Sequence, residues 1–469
     1  MNGDPATWTR LHPLTPLLRG WKVLAVVFAI VAQNGLRNPE VSDLGIAFSA
    51  ALPIAAAYGY LSWRFTRYGF TGDDLTLETG VLFRRSRRVS LSRLQAVDVV
   101  RPLFARALGL AELRLEVAGG GSTEAPLAYL SMHDAHRLRA QLLARAAGID
   151  AETPEAPERV LVRVPFSAVM WAGVLRVPLL LSMVVLAGMV LVGALEQRIG
   201  IVGIAFPLTL GIGGTLAAWV TSNFDFTVAE SPDGLRLRHG LLETRAQTVP
   251  PGRVQAVRIS EPVLWRRRGW VRLQVNVAGY VSGATDSGTT STLLPVAPAE
   301  VALSLVSRVL PGVDVTRVPL AGVPARCRWR APVTWSRLAA GADEAVFVAK
   351  RGRFHRETDV VPHARTQSVR LTQGSWERRL GLATVWVDTC PGPVRVSAAH
   401  RDAAEARAIV TVQADRAVQA VALAPPDRWM SAHRQTPGGE TESPAAGDAG
   451  QDAAGPAEPP AKPPPGPGR

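Results

Sequence analysis

His133 and His136 stand three residues apart with Asp134 between them. On a helix that spacing puts both imidazoles near one face, where they could begin a metal site. A protein-held zinc needs three or four ligands, and no third follows, so the pair reads as a solvated helix face. Gly119-Gly120-Gly121 could cradle a phosphate, but the Lys-Ser/Thr of a P-loop is missing and the run reads as a hairpin tip. Cys390 lies in Thr389-Cys390-Pro391-Gly392, a turn between strands. No Gly-x-Ser-x-Gly, Cys-x-x-Cys or His-Glu-x-x-His occurs. The expectation is a protein that is not an enzyme, with no catalytic residues, no metal and no cofactor.

Arginine carries the remaining chemistry. Arg84, Arg85, Arg87 and Arg88 form one cluster, Arg266, Arg267 and Arg268 a second, and Arg351, Arg353 and Arg356 a third, with His355 inside it. Clustered guanidinium groups can hold phosphate, and each cation near an anionic membrane contributes about 1 kcal/mol, screened by salt. The alternative is a plain charged surface or a protein contact. The chain has 52 Lys+Arg against 39 Asp+Glu, a formal net charge of +13. Such a balance suits nucleic acid, an anionic membrane face or an acidic partner. Its two cysteines cannot build a disulfide framework.

A third pattern is repetition. Arg93-Leu94-Gln95-Ala96-Val97 recurs as Arg253-Val254-Gln255-Ala256-Val257 and as Arg365-Thr366-Gln367-Ser368-Val369. Thirteen residues before each arginine stands a glycine: Gly80, Gly240, Gly352. Thirteen after it stands an arginine (Arg106, Arg266, Arg378), and sixteen after it another glycine (Gly109, Gly269, Gly381). Three small units of one kind are expected. Either all three use Arg and Gln to bind one ligand, or Gln satisfies backbone groups where a bent strand is interrupted and Arg pairs locally.

Around the signature the elements are readable. Apolar residues flanking Thr79-Gly80, His239-Gly240 and Arg351-Gly352 give strand, tight turn, strand. Pro102 to Gly109, Pro262 to Gly269 and Ser375 to Gly381 read as short helices ending at glycine. Period-two strands follow, and closing helices are expected near 132–147, 297–309 and 399–412.

Long apolar runs, charged only at Lys22 in the first and Arg176 in the third, lie outside the units. Trp21 to Leu36 and Leu44 to Leu61 form one candidate hairpin; Phe166 to Leu195 and Ile199 to Ser222 form another, split by Glu196-Gln197-Arg198. A bilayer core needs about 20 apolar residues per helix. Arg10, Arg19 and Lys22 before the first span, and Arg64 and Arg67 after the second, put the N-terminus in the cytoplasm by the positive-inside rule. No cleaved signal peptide is expected. Arg176 would then sit about a third of the way into its span. The resulting layout is 1–20 cytoplasmic, 21–63 transmembrane hairpin, 64–150 unit one, 151–165 linker, 166–222 transmembrane hairpin, 223–318 unit two, 319–326 linker, 327–420 unit three, and 421–469 a disordered Pro/Ala/Gly-rich tail. Unit three has no hairpin before it; basic, tryptophan-bearing 326–342 could lie on the membrane or pack ordinarily.

Apolar hairpins followed by β-rich units with P-x-x-R-[IV]-Q-[AS]-V resemble the bacterial pleckstrin-homology domain of the second type, as found in YdbT-like membrane proteins. Pro250 to Val257 carries the pattern; Pro362 to Val369 has Thr at the aliphatic place; the first copy has Ser90 in place of Pro. The resemblance implies an α+β multidomain membrane protein: four transmembrane helices in two hairpins, plus three PH-like domains, each a bent antiparallel β-sheet closed by a C-terminal helix. It implies a multi-pass location in the bacterial cytoplasmic (inner) membrane. The expected role is a scaffold or adaptor at the membrane face, in envelope homeostasis or stress resistance, with a protein partner and no nucleic acid. The alternative is a sensor of anionic lipid headgroups or a lipid-handling protein.

Overall fold

The computed structural model describes residues 9–10, 53, 57, 60–61, 63–71, 74–79, 85–90, 94–117, 125–147, 158–196, 199–231, 234–249, 251–278 and 291–423. Most of the first apolar hairpin, Gly80, Arg84, Arg93, the 119–121 glycines and the tail from 424 lie outside the described residues, as do the side chains of Arg85, Arg87 and Gln95.

Unit one opens with β1 (Thr9–Arg10), β2 (Arg67–Thr71), β3 (Asp74–Thr79) and β4 (Arg85–Ser90), paired in that order. It continues with β5 (Leu94–Pro102), α1 (Leu103–Ala107), β6 (Leu110–Val117), β7 (Ala125–Ser131) and the closing helix α2 (Met132–Ala147). Unit two repeats the plan. β8 (Arg159–Arg163) precedes α3 (Phe166–Val174), α4 (Val177–Leu195) and α5 (Ile199–Ser222); then come β9 (Thr227–Ser231), β10 (Gly234–His239) and β11 (Glu243–Val249). β12 (Val254–Pro262), β13 (Trp270–Val277), β14 (Thr292–Pro298) and α6 (Ala299–Val309) complete it. Unit three has β15 (Ala321–Gly322), β16 (Ala339–Ala342), β17 (Val346–Arg351), β18 (His355–Pro362), β19 (Ser368–Thr372), α7 (Ser375–Arg379), β20 (Leu382–Asp388), β21 (Val396–Asp402) and α8 (Ala403–Leu423).

Each unit begins one strand earlier than the hydropathy suggests. β8 pairs antiparallel with β9, Arg163 opposite Thr227, although the whole apolar hairpin lies between them. β1 pairs with β2 across the first hairpin, and β15 with β16 across residues 323–338. The expected linkers 151–165 and 319–326 therefore contribute sheet strands. Each insertion leaves and re-enters the sheet at one point, so the helices of unit two are held by their own domain rather than by a tether.

The expected span from Phe166 to Leu195 is two helices. α3 packs into unit two, with Val169 and Ala172 fully buried. Its Gly173 lies so close to α5 that an added Cβ would meet Trp219 Cδ1 at 2.6 Å. The helix breaks at Leu175-Arg176, where Pro178 cannot supply a backbone N–H and is tolerated only in a first turn. α4 then runs 19 residues with no buried side chain, about 28 Å. α4 and the last part of α5 (Ala205–Ser222) are long and apolar enough to cross a membrane. Arg176 sits at the mouth of α4, not inside it.

In unit three two short 3₁₀ turns, Ala325–Trp329 and Trp335–Arg337, replace the hairpin. They wrap buried Cys327 and leave Trp329 exposed. No amphipathic helix forms across 326–342.

Candidate functional site

The three units are fused edge to edge. β5 pairs with β11, and β12 with β18, giving two seven-stranded sheets that each cross a unit boundary. The register is the same both times. Val99 pairs with Ala246, and Ile259 with Thr358. In each case the sixth residue after one signature arginine meets the seventh before the next. The cores follow: Val346, Val348 and Val360 of unit three belong to the core of unit two, while Ala256 of unit two belongs to that of unit three.

The signature residues serve this joint. Arg106 Nη1 donates to the Leu241 carbonyl at 3.1 Å. Arg266 Nη2 donates to the Arg353 and Phe354 carbonyls at 2.6 and 2.7 Å. Leu241 and Arg353 each follow the turn glycine of the next unit, Gly240 or Gly352. These glycines have φ +109 and +85, and a Cβ on either would strike a carbonyl oxygen. So the arginine of one unit grips the glycine turn of the next. Gly109, Gly269 and Gly381 all end their short helix with positive φ. Gln95 and Gln255 mark the place where pairing to the next strand slips by one residue. Gln255 Nε2 donates to the Arg253 carbonyl, whereas Gln367 is exposed and its backbone N–H donates to Asp388 O. Val97 and Val257 are core residues, and Val369 packs against the third core.

The third joint is half made. β19 is the free edge of the sheet β19-β20-β21, and its side chains are mostly exposed. Arg378, equivalent to Arg106 and Arg266, is exposed with no side-chain partner among the described residues. At the other end β4, equivalent to β11 and β18, is also an edge.

The arginine clusters divide. Arg266 and Arg351 are held internally, Arg351 by Glu357 at 2.6 Å. Arg268 lies over the Trp171 and Trp270 rings at 5.2 and 5.0 Å. Arg88, Arg267 and Arg353 are exposed and Arg356 is half-buried. The grip of Arg266 on Arg353 brings the second and third clusters together. Among the described residues no group of three His, Cys, Asp or Glu could hold a metal.

Two cavities were not legible from the clusters. One, of about 500 Å³, lies between units one and two, lined by Arg101, Arg139, Arg236 and Arg238 with Glu158, which pairs with Arg236 at 2.5 Å. The other, of about 870 Å³, lies where α4 and α5 meet unit two. Arg176, Trp219, Trp265 and Arg272 line it. Arg272 sits in a period-two strand, where only the missing acidic neighbour could have signalled it.

The Bacterial PH domain family matches residues 23–146, 173–311 and 301–417. The chain is also 23% identical over 328 residues to the UPF0699 transmembrane protein YdbT of Bacillus subtilis (strain 168), a match covering 61% of this chain and 66% of that protein, just under two thirds of its length. Three family matches over most of the sequence, on three units built to one plan, make this chain a member of the bacterial PH domain family.

Proposed function

We propose that this chain is a multi-pass protein of the bacterial cytoplasmic membrane, with four spans in two hairpins and with both termini and all three PH-like units in the cytoplasm. It acts there as a non-enzymatic scaffold or adaptor, in envelope homeostasis or stress resistance. The half-made third joint carries this reading. The chain uses one device twice to join units: an open strand edge plus an arginine that grips a turn. It presents that device a third time with nothing in it among the described residues.

β19 accepts an extended strand from a partner protein. At the second joint Arg258 stands opposite Asp359. The equivalent of Arg258 in unit three is Arg370, which leans on Asp388 of its own sheet at 2.7 Å. A fitting partner strand places a carboxylate opposite Arg370 and a turn under Arg378. A second copy of this chain fits badly, because the same register sets Arg370 against Arg87 of β4. Like charges directly opposite are destabilising, and charged edge strands resist such pairing.

A photo-crosslinking residue at Leu371, in native membranes, tests this. The expected result is one protein adduct, lost when Arg378→Glu reverses the grip. Adducts to lipid alone, or none, would sink the adaptor reading; adducts to a second copy would replace it with self-assembly. The second reading is contact with anionic headgroups by Arg267, Arg353 and Arg356, favoured by Arg268 stacked on Trp171 beside the membrane helices. Salt-dependent association of the full chain with anionic over neutral lipid, lost in Arg267→Ala/Arg353→Ala, would support it.

A further inference from the structure

We propose that the cavity between α4, α5 and unit two is a binding site for one anionic phospholipid, with Arg272 and Arg176 holding the phosphate. The inference rests on reading α4 and α5 as spans; it does not depend on the β19 edge.

The cavity joins two kinds of surface. One side is apolar helix, with Leu179, Leu208, Ile212 and Leu216. These walls continue into helices whose outer faces are exposed and apolar, Leu181 and Val184 among them. The other side is polar and belongs to unit two, with Arg272, Ser260 and Gln274. Its volume lies within the roughly 300–1,000 Å³ of sites that enclose small ligands. α4 starts and α5 ends here, so the polar side stands at the mouth of the hairpin, where a headgroup would lie.

Among the described residues the cations have no counter-charge. Both guanidinium groups lie over the one Trp219 ring, Arg176 at 4.2 Å and Arg272 at 5.5 Å. Among the described residues no carboxylate lines the cavity. Burial, and then the like charge of Arg176, push Arg272 down to about 10. Arg272 Nη2 reaches Thr292 Oγ1 at 2.8 Å, but its buried Nε has no hydrogen-bond partner among the described residues. Neither has the buried Trp265 indole N–H on the same cavity wall. Burying a charge without its partner is costly, and buried donors are normally satisfied. The first turn of α4 adds backbone N–H groups without intrahelical acceptors and the positive end of its dipole. A phosphate between the two guanidinium groups would supply the counter-charge they lack, while an acyl chain would fill the groove between α4 and α5.

The arrangement is confined to unit two. The positions equivalent to Arg272 hold Glu112 and Thr384, and those equivalent to Trp265 hold Ala105 and Glu377. Unit three, which lacks the hairpin, lacks the arginine too.

The test uses the full chain in nanodiscs containing dioleoylphosphatidylglycerol, then extracted into detergent and weighed by native mass spectrometry. One retained phosphatidylglycerol per chain is expected. Arg272→Gln and Arg176→Gln should each lower retention about tenfold, as loss of a charge-assisted contact implies. Ile212→Trp fills the groove without touching the cations and should also expel the lipid, which covers an arginine variant that does not fold. Inorganic phosphate should give no thermal stabilisation in the delipidated protein. Equal stabilisation by phosphate alone would make this a free-anion site and overturn the lipid assignment. Equal retention of uncharged dioleoylglycerol would overturn the role of the arginines. Failure to enter nanodiscs would sink the membrane reading itself, whereas entry without retained lipid would sink only this site.

Discussion

Arg258 and Asp359 face each other across the second joint, Nε 2.6 Å from Oδ1, with the Asp359 side chain 1% exposed. Arg258 also donates to the Pro393 and Arg395 carbonyls, at 3.0 and 3.2 Å. The pair therefore ties β12 and β18 to the loop before β21. Removing one member leaves the other a buried charge with only a longer ionic contact, Glu357 at 3.8 Å from Arg258 or Arg351 at 3.5 Å from Asp359. Asp359→Asn should cost about 3–5 kcal/mol, read as lost hydrogen-exchange protection in β12 and β18. Arg258→Met with Asp359→Leu should regain most of it. A single substitution that leaves protection unchanged would show that the pair does not hold the joint.

The three gripping arginines should behave unequally, although their sequence context is the same. Arg106 and Arg266 each donate to carbonyls of the next unit. Alanine at either should cost about 1.5–3 kcal/mol of local stability, the range for hydrogen bonds to charged groups. Arg378→Ala should stay within about 0.5 kcal/mol of wild type, as an exposed residue does. Limited proteolysis around 240–243 and 352–355 reads the first two. Equal sensitivity of all three variants would refute the third joint as an unfilled copy.

Turn glycines and helix-ending glycines should also separate. A Cβ on Gly352 would lie 1.8 Å from the His355 carbonyl oxygen, while one on Gly269 meets nothing within 4 Å. Gly269→Ala meets only the left-handed backbone cost of about 1–2 kcal/mol. Gly352→Ala must in addition push β18 from its turn, and that turn is what Arg266 holds. Thermal unfolding of the two variants should rank them in that order.

Local rules made much of this fold readable. Among the described residues, the turns at Gly240 and Gly352, the short helical turns and the period-two strands stand where a short window places them. The readable features rest on contacts within about 15 residues. β8 was missed because Arg159–Arg163 finds its partner β9 only beyond the whole apolar hairpin. Arg176 was drawn into a span because hydropathy alone cannot see that Val169 and Ala172 face a protein core. The joints are non-local as well, yet one trace was present: Val346-Phe347-Val348-Ala349 is apolar without alternation. β17 is buried on both faces, one toward the core of unit two and one toward that of unit three. The cavity arginines could not be found by clustering, since Arg176 and Arg272 meet only in space.

His239 should make the attachment of the α4–α5 hairpin sensitive to acid. Its Nδ1 donates to the Ser222 carbonyl at the end of α5 at 2.8 Å, and its ring stacks on Phe226 at 5.0 Å. Burial lowers its pKa, Arg245 adds to the effect, and the Ser222 hydrogen bond and Glu243 oppose it. The folded protein thus keeps the ring neutral to lower pH than the unfolded chain, whose histidine titrates near about 6.5. Above that value neither state binds the proton and stability is unaffected. Below it the unfolded chain gains a proton that the folded one refuses, so stability falls with pH until the folded pKa is reached. Hydrogen-exchange protection of β10 and the last turn of α5 should fall between pH 7.5 and 5.5. His239→Gln keeps a donor for Ser222 but cannot titrate, so it should flatten that dependence while His363, which burial also holds low in unit three, continues to act there. The same slope in wild type and His239→Gln would place the acid sensitivity elsewhere.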